Sequence, residues 1–289
     1  MSTIEISSAT IRVGLLDMAY REAGEGPLVI CLHGFPDTAH SFDGLLPVLA
    51  KAGFRAVAPF MRGYYPTAVP ADGDYAVTTL AADVLGLIQA LGEDEAVLIG
   101  HDWGGFTAYA AANLAPEKVR QLVVIAVPHM GASRNSFAQL RRSWYVWTFQ
   151  LPWLPERLVS KRNFHFIDRL YRSWSPNWPE SEFQLAPLKA ALAAPGGLRA
   201  ALGYYRRMIR GASRDVYDVL SKTTSVPALW FVGEADGSIG PEVFVDTAKA
   251  CSGPFELVSL PDVGHFVHRE APQVFQQKVL QFLASTPSE

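Results

Sequence analysis

Gly100-His101-Asp102-Trp103-Gly104-Gly105 follows the apolar run Ala96-Val97-Leu98-Ile99 and precedes a helix-like stretch from Phe106 to Leu114. An acid therefore sits where a strand turns sharply into a helix. Gly100 and Gly104 flank it as Gly-x-Nuc-x-Gly, the frame of a nucleophile elbow, because so tight a turn tolerates no Cβ close by. Asp102 could in isolation be a helix N-cap, since Asp is favoured there. As a nucleophile it points to particular chemistry: a carboxylate is a poor attacker of acyl carbonyls but can displace at saturated carbon, giving an ester that water then cleaves. An acid in place of serine argues against an esterase or peptidase.

Outward from this turn, short runs rich in Val, Ile and Leu recur at Leu28 to Leu32, Arg55 to Ala58, Ala96 to Ile99, Leu122 to Ala126, Ala228 to Val232 and Leu257 to Leu260. Near-continuous apolar runs suit strands buried on both faces. Helix-period segments separate them: Leu80, Val84, Leu87, Ile88 and Leu91 form one stripe, with Thr79 as N-cap and Gly92 as stop, and Phe275, Val279 and Phe282 mark another. The alternation predicts an α/β fold, a mostly parallel sheet flanked by helices, with functional residues in loops after the strands. It stops after Val127-Pro128. From His129 to about Lys222 the chain is rich in Trp, Tyr, Arg and Pro at helical spacing, and Ser225-Val226-Pro227 reopens the sheet pattern. Residues 1–128 and 223–289 are expected to form the core and 129–222 an inserted helical cap. Phe137, Leu140, Trp144 and Trp147 would line one face of its first helix and roof an apolar pocket.

The chain has 289 residues, 49% hydrophobic and 18% charged, with a formal charge of −3. No apolar run approaches the roughly 20 residues of a membrane span, and no signal peptide is visible at the start. Cys31 and Cys251 are the two cysteines; buried thiols are the expectation, which fits a reducing, cytoplasmic compartment. The charge, with no basic block, gives little support for nucleic acid as partner. No internal repeat or spacing of metal ligands stands out.

An Asp nucleophile needs an oxyanion hole, a base for the second half-reaction and an acid to orient that base. His33-Gly34-Phe35-Pro36 follows the first parallel run, so the Phe35 N–H is placed to face Asp102, with the Trp103 N–H as partner. Asp236 lies just beyond the run ending at Val232, and His265 follows the last run in Pro261-Asp262-Val263-Gly264-His265-Phe266. The order nucleophile, acid, histidine is that of the α/β-hydrolase triad. Glu234 competes with Asp236 for the acid, and Asp236 is favoured on its spacing from the strand end. His33 and His101 read as structural, His40, His129, His165 and His268 carry no signal, and the pairs Arg141-Arg142 and Arg206-Arg207 read as solvated cap faces.

With these motifs in place, the chain resembles the epoxide hydrolase family of α/β-hydrolases over nearly its full length. That family grips the epoxide oxygen with two cap phenols, and Ser143-Trp144-Tyr145 and Gly203-Tyr204-Tyr205-Arg206 resemble the segments that carry them. The resemblance assigns Tyr145 and Tyr205, with Tyr204 as the alternative, since neighbours on a helix face different ways. It implies a pocket lined by Phe35, Pro36, Trp103, Trp144, Tyr204 and Phe266. It further implies a small apolar epoxide and water as reactants, no cofactor or metal, and a homodimer as the protein partner to consider. The chain departs from the family at Phe60-Met61-Arg62-Gly63-Tyr64-Tyr65, where an Asp-x-Arg-Gly-x-Gly segment is common, and that bears on substrate shape. The nearest rival is a haloalkane dehalogenase with Trp103 holding the halide, aided by Trp144, Trp147, Trp174 or Trp178. The remoter one is a small-molecule receptor with little turnover.

Overall fold

The computed structural model describes residues 4–133, 136–179, 183–210 and 214–285. Eight strands form one sheet in the order β1-β2-β4-β3-β5-β6-β7-β8. At its centre, β3 (Leu28–Leu32), β5 (Ala96–His101), β6 (Val119–Ile125) and β7 (Ala228–Gly233) run parallel and are almost wholly buried. β4 (Arg55–Pro59) pairs parallel with β3 on one side and β8 (Phe255–Leu260) parallel with β7 on the other. All six expected runs are therefore strands. Two more, β1 (Ser7–Val13) and β2 (Leu16–Ala23), form an antiparallel hairpin that joins β4 antiparallel at one edge. β1 is mostly exposed or half-buried, and polar Asp17, Arg21 and Glu22 leave β2 an apolar run of only three residues, Met18-Ala19-Tyr20.

Helices α1 (Leu46–Lys51), α2 (Val77–Ala90) and α3 (Trp103–Leu114) connect the strands, and α10 (Val267–Glu270) and α11 (Pro272–Ser285) follow the sheet. Helix α2 starts two residues before the expected cap: the Thr79 hydroxyl donates to Asp74 at 2.6 Å, and the same carboxylate accepts the Ala76 N–H at 3.1 Å. Gly92 ends it in the left-handed region, φ 85°.

Between β6 and β7 the described residues are helical: α4 (Phe137–Arg142), α5 (Trp144–Phe149), α6 (Leu154–Trp174, interrupted by left-handed residues at Arg162–Phe164), α7 (Ala186–Ala193), α8 (Gly197–Arg210) and α9 (Arg214–Ser221). In this helical segment the aromatic stripe expected to face inward faces the opposite way. Phe137 is 85% exposed, Trp147 57%, Leu140 53% and Trp144 48%. The face of α5 that packs inward carries Tyr145 and Phe149 instead, both buried, whose rings lie against Trp174, Phe35 and Tyr205. Both faces of α5 are apolar, so periodicity alone cannot say which one the core takes.

The paired arginines are fasteners as much as surface. Arg206 donates to both oxygens of Glu156 at 2.7 and 3.0 Å and to the carbonyls of Phe149 and Leu151, tying α8 to α5 and α6. Arg142 pairs with Glu242 in the loop after β7, and Arg207 with Asp74 at 2.9 Å. Arg141 alone is exposed as expected.

In the loop after β4, Arg62 forms a fork of two hydrogen bonds, 2.6 and 2.8 Å, with the buried carboxylate of Asp83 on α2. Removing one partner of such a pair strands the other charge in a low-dielectric interior. Asp83→Ala should therefore lower the free energy of unfolding by about 3 kcal/mol, read from a urea titration. A loss below about 0.5 kcal/mol, the scale of an exposed pair, would show that the loop is not anchored there.

Candidate active site

Strand β5 delivers Asp102 and helix α3 leaves from it, with φ 51° and ψ −119° at Asp102, a conformation that costs a non-glycine residue energy. Close packing holds it there. A Cβ on Gly104 would overlap the Leu32 carbonyl, and one on Gly100 would overlap the carbonyl of Gly104. Helix α3 can thus lie against the end of β3 only because these two positions are glycine.

The turn presents the carboxylate to two residues from other strand ends, and a third orients the second of them. After β3, the Phe35 N–H donates to Asp102 Oδ1 at 2.8 Å. After β8, His265 Nε2 lies 3.7 Å from Asp102 Oδ2, close but beyond a hydrogen bond. After β7, Asp236 Oδ2 holds His265 Nδ1 at 2.8 Å, while its Oδ1 accepts the N–H groups of Ser238 and Ile239 at 2.6 and 2.9 Å. All three side chains are buried. The structure thus brings Phe35, Asp102, Asp236 and His265 together. It sets Glu234 apart, as that carboxylate accepts from Ser259 on the exposed side of β8. Of the two expected amide donors, Phe35 is the one that reaches the carboxylate, and the Trp103 amide opens helix α3.

Burial alone would keep the His265 imidazole neutral, but the charges of Asp236 and Asp102 outweigh it and raise its pKa from 6.5 to about 10. His33 and His101 are neutral because burial dominates, His33 falling to about 4. Both act as struts. Met61 N–H donates to His33 Nε2 at 3.0 Å, which leaves the Nδ1 proton for the Gly34 carbonyl at 3.0 Å. His101 Nε2 meets the His265 carbonyl at 3.1 Å, joining the elbow to the histidine loop.

From the cap, Tyr145 and Tyr205 enter with ring centres 5.7 Å apart and nearly perpendicular. The Tyr145 hydroxyl shares a 3.1 Å hydrogen bond with Ser238 Oγ, whereas the buried Tyr205 hydroxyl makes no well-formed hydrogen bond and has the Trp103 side chain as its polar neighbour. Burial, and next the charge of Asp102, push both phenols above their ordinary pKa, so each keeps its proton. Tyr204 is committed elsewhere: its hydroxyl donates to the Arg62 carbonyl at 2.8 Å and its ring stacks on Tyr75. Trp103 puts its ring edge-on to both Tyr204 and Tyr205. Phe266 lies 5.3 Å from His265 and stacks on Tyr171, whose hydroxyl donates to the Pro36 carbonyl. Trp144 does not belong to this set. It is half exposed on the outer side of α5, against Phe166, because Tyr145 takes the inward direction.

Several supporting groups gave no sequence signal. Glu270 accepts from Gly264 N–H, Phe266 N–H and the Ser175 hydroxyl at 2.5 to 2.9 Å, framing the His265 loop. Beneath it, Asp37, His101 and His268 each bring a possible ligand atom to within 4.8 Å of the others. Ser41 bridges Asp37 and His268 at 2.5 Å each, and Arg269 lies 3.8 Å from Asp37, so internal hydrogen bonds and a guanidinium already serve that carboxylate. The chemistry of this donor set is that of a buried brace. His268 and Asp37 lie far apart in sequence, and only folding joins them.

The chain matches the family profile described as alpha/beta hydrolase fold over residues 27–272. It is 32% identical over 276 residues to human Epoxide hydrolase 4, covering 91% of this chain and 75% of that protein. Epoxide hydrolase A of Mycobacterium tuberculosis is 30% identical over 298 residues, covering 91% and 92%. The crystal structure of Epoxide Hydrolase A from Mycobacterium thermoresistibile superposes with a TM-score of 0.85 at 26% identity, covering 99% of this chain and 100% of that one. No described helix is long and apolar enough to cross a membrane, and both cysteines are free thiols.

A raised native pKa means that the His265–Asp236 pair stabilises the fold fully below about pH 6.5 and loses that contribution as pH rises through about 10. Asp236→Asn should consequently be less stable than wild type at pH 6, with the gap narrowing towards pH 10.5, measured by urea unfolding at each pH. A gap that stays constant or widens would contradict the charge assignment.

Proposed function

Since the chain belongs to the epoxide hydrolases of the alpha/beta hydrolase fold family, we propose that it opens a small apolar epoxide to a vicinal diol through an ester on Asp102. The single observation that carries this reading is the convergence of two buried, protonated phenols on a carboxylate held by the Phe35 amide. In the first step Asp102 Oδ2 attacks an epoxide carbon and the C–O bond breaks. The departing alkoxide is far more basic than a phenol, so it takes a proton from Tyr145 or Tyr205 as it forms. The lack of a well-formed hydrogen bond at the Tyr205 hydroxyl favours it over Tyr204, whose proton is engaged by Arg62.

Ester formation erases the charge on Asp102. That removes one of the two carboxylates that keep His265 protonated, so its pKa falls, its proton passes to the phenolate left by ring opening, and the neutral imidazole becomes a base oriented by Asp236. Water deprotonated at Nε2 attacks the ester carbonyl, and the oxyanion develops on Oδ1, where the Phe35 N–H already points. One such donor is worth about 3 kcal/mol to a transition state. Collapse of the intermediate breaks the bond between the carbonyl carbon and the alkyl oxygen, that oxygen takes the proton of the new carboxyl group, and the diol leaves with the carboxylate restored and His265 again protonated. All groups come from the protein, and the helical segment 129–222 serves as the cap that supplies the acids. The free thiols support a cytoplasmic setting.

The dehalogenase reading loses Trp144 and Trp147 as halide donors, since both face outward. It also gives the paired phenols no task, because a halide leaves without a proton.

Purified protein mixed with styrene oxide should yield diol, and with 1-bromobutane no bromide; bromide without diol would transfer Asp102 to the rival chemistry. His265→Gln should retain the alkyl ester, seen as an intact-mass increase equal to the epoxide, and an unmodified mass beside an active wild type would overturn the covalent route. Tyr145→Phe and Tyr205→Phe should each slow ester formation by about 100-fold, with the double variant nearly inert. Stopped-flow ester hydrolysis should rise with pH through a pKa below the one His265 shows in the free enzyme. An equal or higher pKa would refute the release of its proton on alkylation.

A further inference from the structure

We propose that the outer face of the cap docks on an anionic lipid surface. The inference rests on charge and exposure and is independent of the reaction above.

The overall charge of −3 conceals a strong division. Residues 129–222 hold 15 of the 25 Lys and Arg but 6 of the 28 Asp and Glu, a net of +9, which leaves −12 on the core. A body so polarised is oriented by a negatively charged surface, cap first.

The leading face is also apolar. Phe137, Leu140, Trp144 and Trp147 follow one another at three- and four-residue intervals along α4 and α5, Leu151 continues the spacing just past α5, and all are 45% exposed or more, as is Trp153 at 65%. The two helices are nearly continuous, since Ser143 N–H donates to Gln139 O and Val146 N–H to Ser143 O. The stripe therefore keeps one direction across the break. Soluble monomers rarely expose so many large apolar side chains in one row. Aromatic and aliphatic residues on one side of a helix with basic residues beside them are how a helix lies in the interface of a bilayer without crossing it.

The cations beside the stripe are free to meet lipid phosphates. Arg141, Arg157, Lys161 and Arg162 are exposed and form no ion pair with any described residue, and Lys161 and Arg162 project at the interruption of α6. Around Trp153 the face continues into a groove of about 1240 Å³, with Arg157, Arg199 and Arg210 along it and Tyr75 in its wall. Its shape and charge fit a lipid headgroup. Tyr75 in turn stacks on Tyr204, which faces Trp103, so the groove backs onto the wall of the site.

The competing occupant of an apolar face is a second copy of the chain. Charge speaks against it, as two copies meeting cap to cap would bring +9 against +9.

Co-sedimentation of the whole protein with vesicles tests the proposal. Wild type should pellet with phosphatidylcholine mixed with phosphatidylglycerol, much less with phosphatidylcholine alone, and be released by salt. Phe137→Ser with Trp147→Ser should weaken the partition at least tenfold, and Arg141→Gln with Arg157→Gln by about fivefold per charge, while hydrolysis of a water-soluble epoxide stays unchanged. Absence of wild-type protein from the anionic pellet, or equal pelleting of the apolar double variant, would overturn the proposal. So would light scattering that shows a dimer which the double variant dissolves, for that gives the face to a second copy.

Discussion

Helix α3 and strand β3 approach each other so closely at Gly104 that no side chain fits between them, and the site depends on that approach. It forces the chain through φ 51° at Asp102, which turns the carboxylate out of the sheet and towards the loops after β3, β7 and β8. Backbone strain of this kind costs on the order of 1–3 kcal/mol and persists only where the surroundings over-determine it. Here they do: the fully buried strands β3, β5 and β6 fix both ends of the turn, and the Phe35 amide holds the side chain it exposes.

Electrostatics complete what sterics begin. Asp102, His265 and Asp236 share a space from which water is largely excluded, so the charge of the imidazole is set by its two neighbours. The imidazole keeps its proton because two carboxylates outweigh burial, and the phenols above keep theirs because burial, and next the charge of Asp102, disfavours the phenolate. In the proposed cycle, the one change of charge on Asp102 would pass control from the phenols to the imidazole.

The legibility of this in the sequence follows physical range. Asp102, Asp236 and His265 could be read because each sits at a turn immediately after an apolar run, where local pattern and chemistry coincide. β1 and β2 escaped because their polar residues leave no long apolar run. The inward side of α5 could not be chosen, since Trp144 and Trp147 on one face and Tyr145 and Phe149 on the other are equally apolar. Tyr204 and Tyr205 were separable only through a hydrogen bond to Arg62, 142 residues away. Glu270, Ser175 and His268 are ordinary polar residues until folding sets them behind His265. Contacts distant in sequence leave no mark in periodicity, and these residues are defined by such contacts.

Arg206 has a further consequence. By binding Glu156 and the carbonyls of Phe149 and Leu151 it welds α8 to α5 and α6, so that Tyr205 and Tyr145 ride on one rigid piece. Asp102 and His265 lie beneath that piece, closed off from solvent. On the proposed chemistry the two phenols would therefore shift together, and a change at either end of Arg206 would be felt by both.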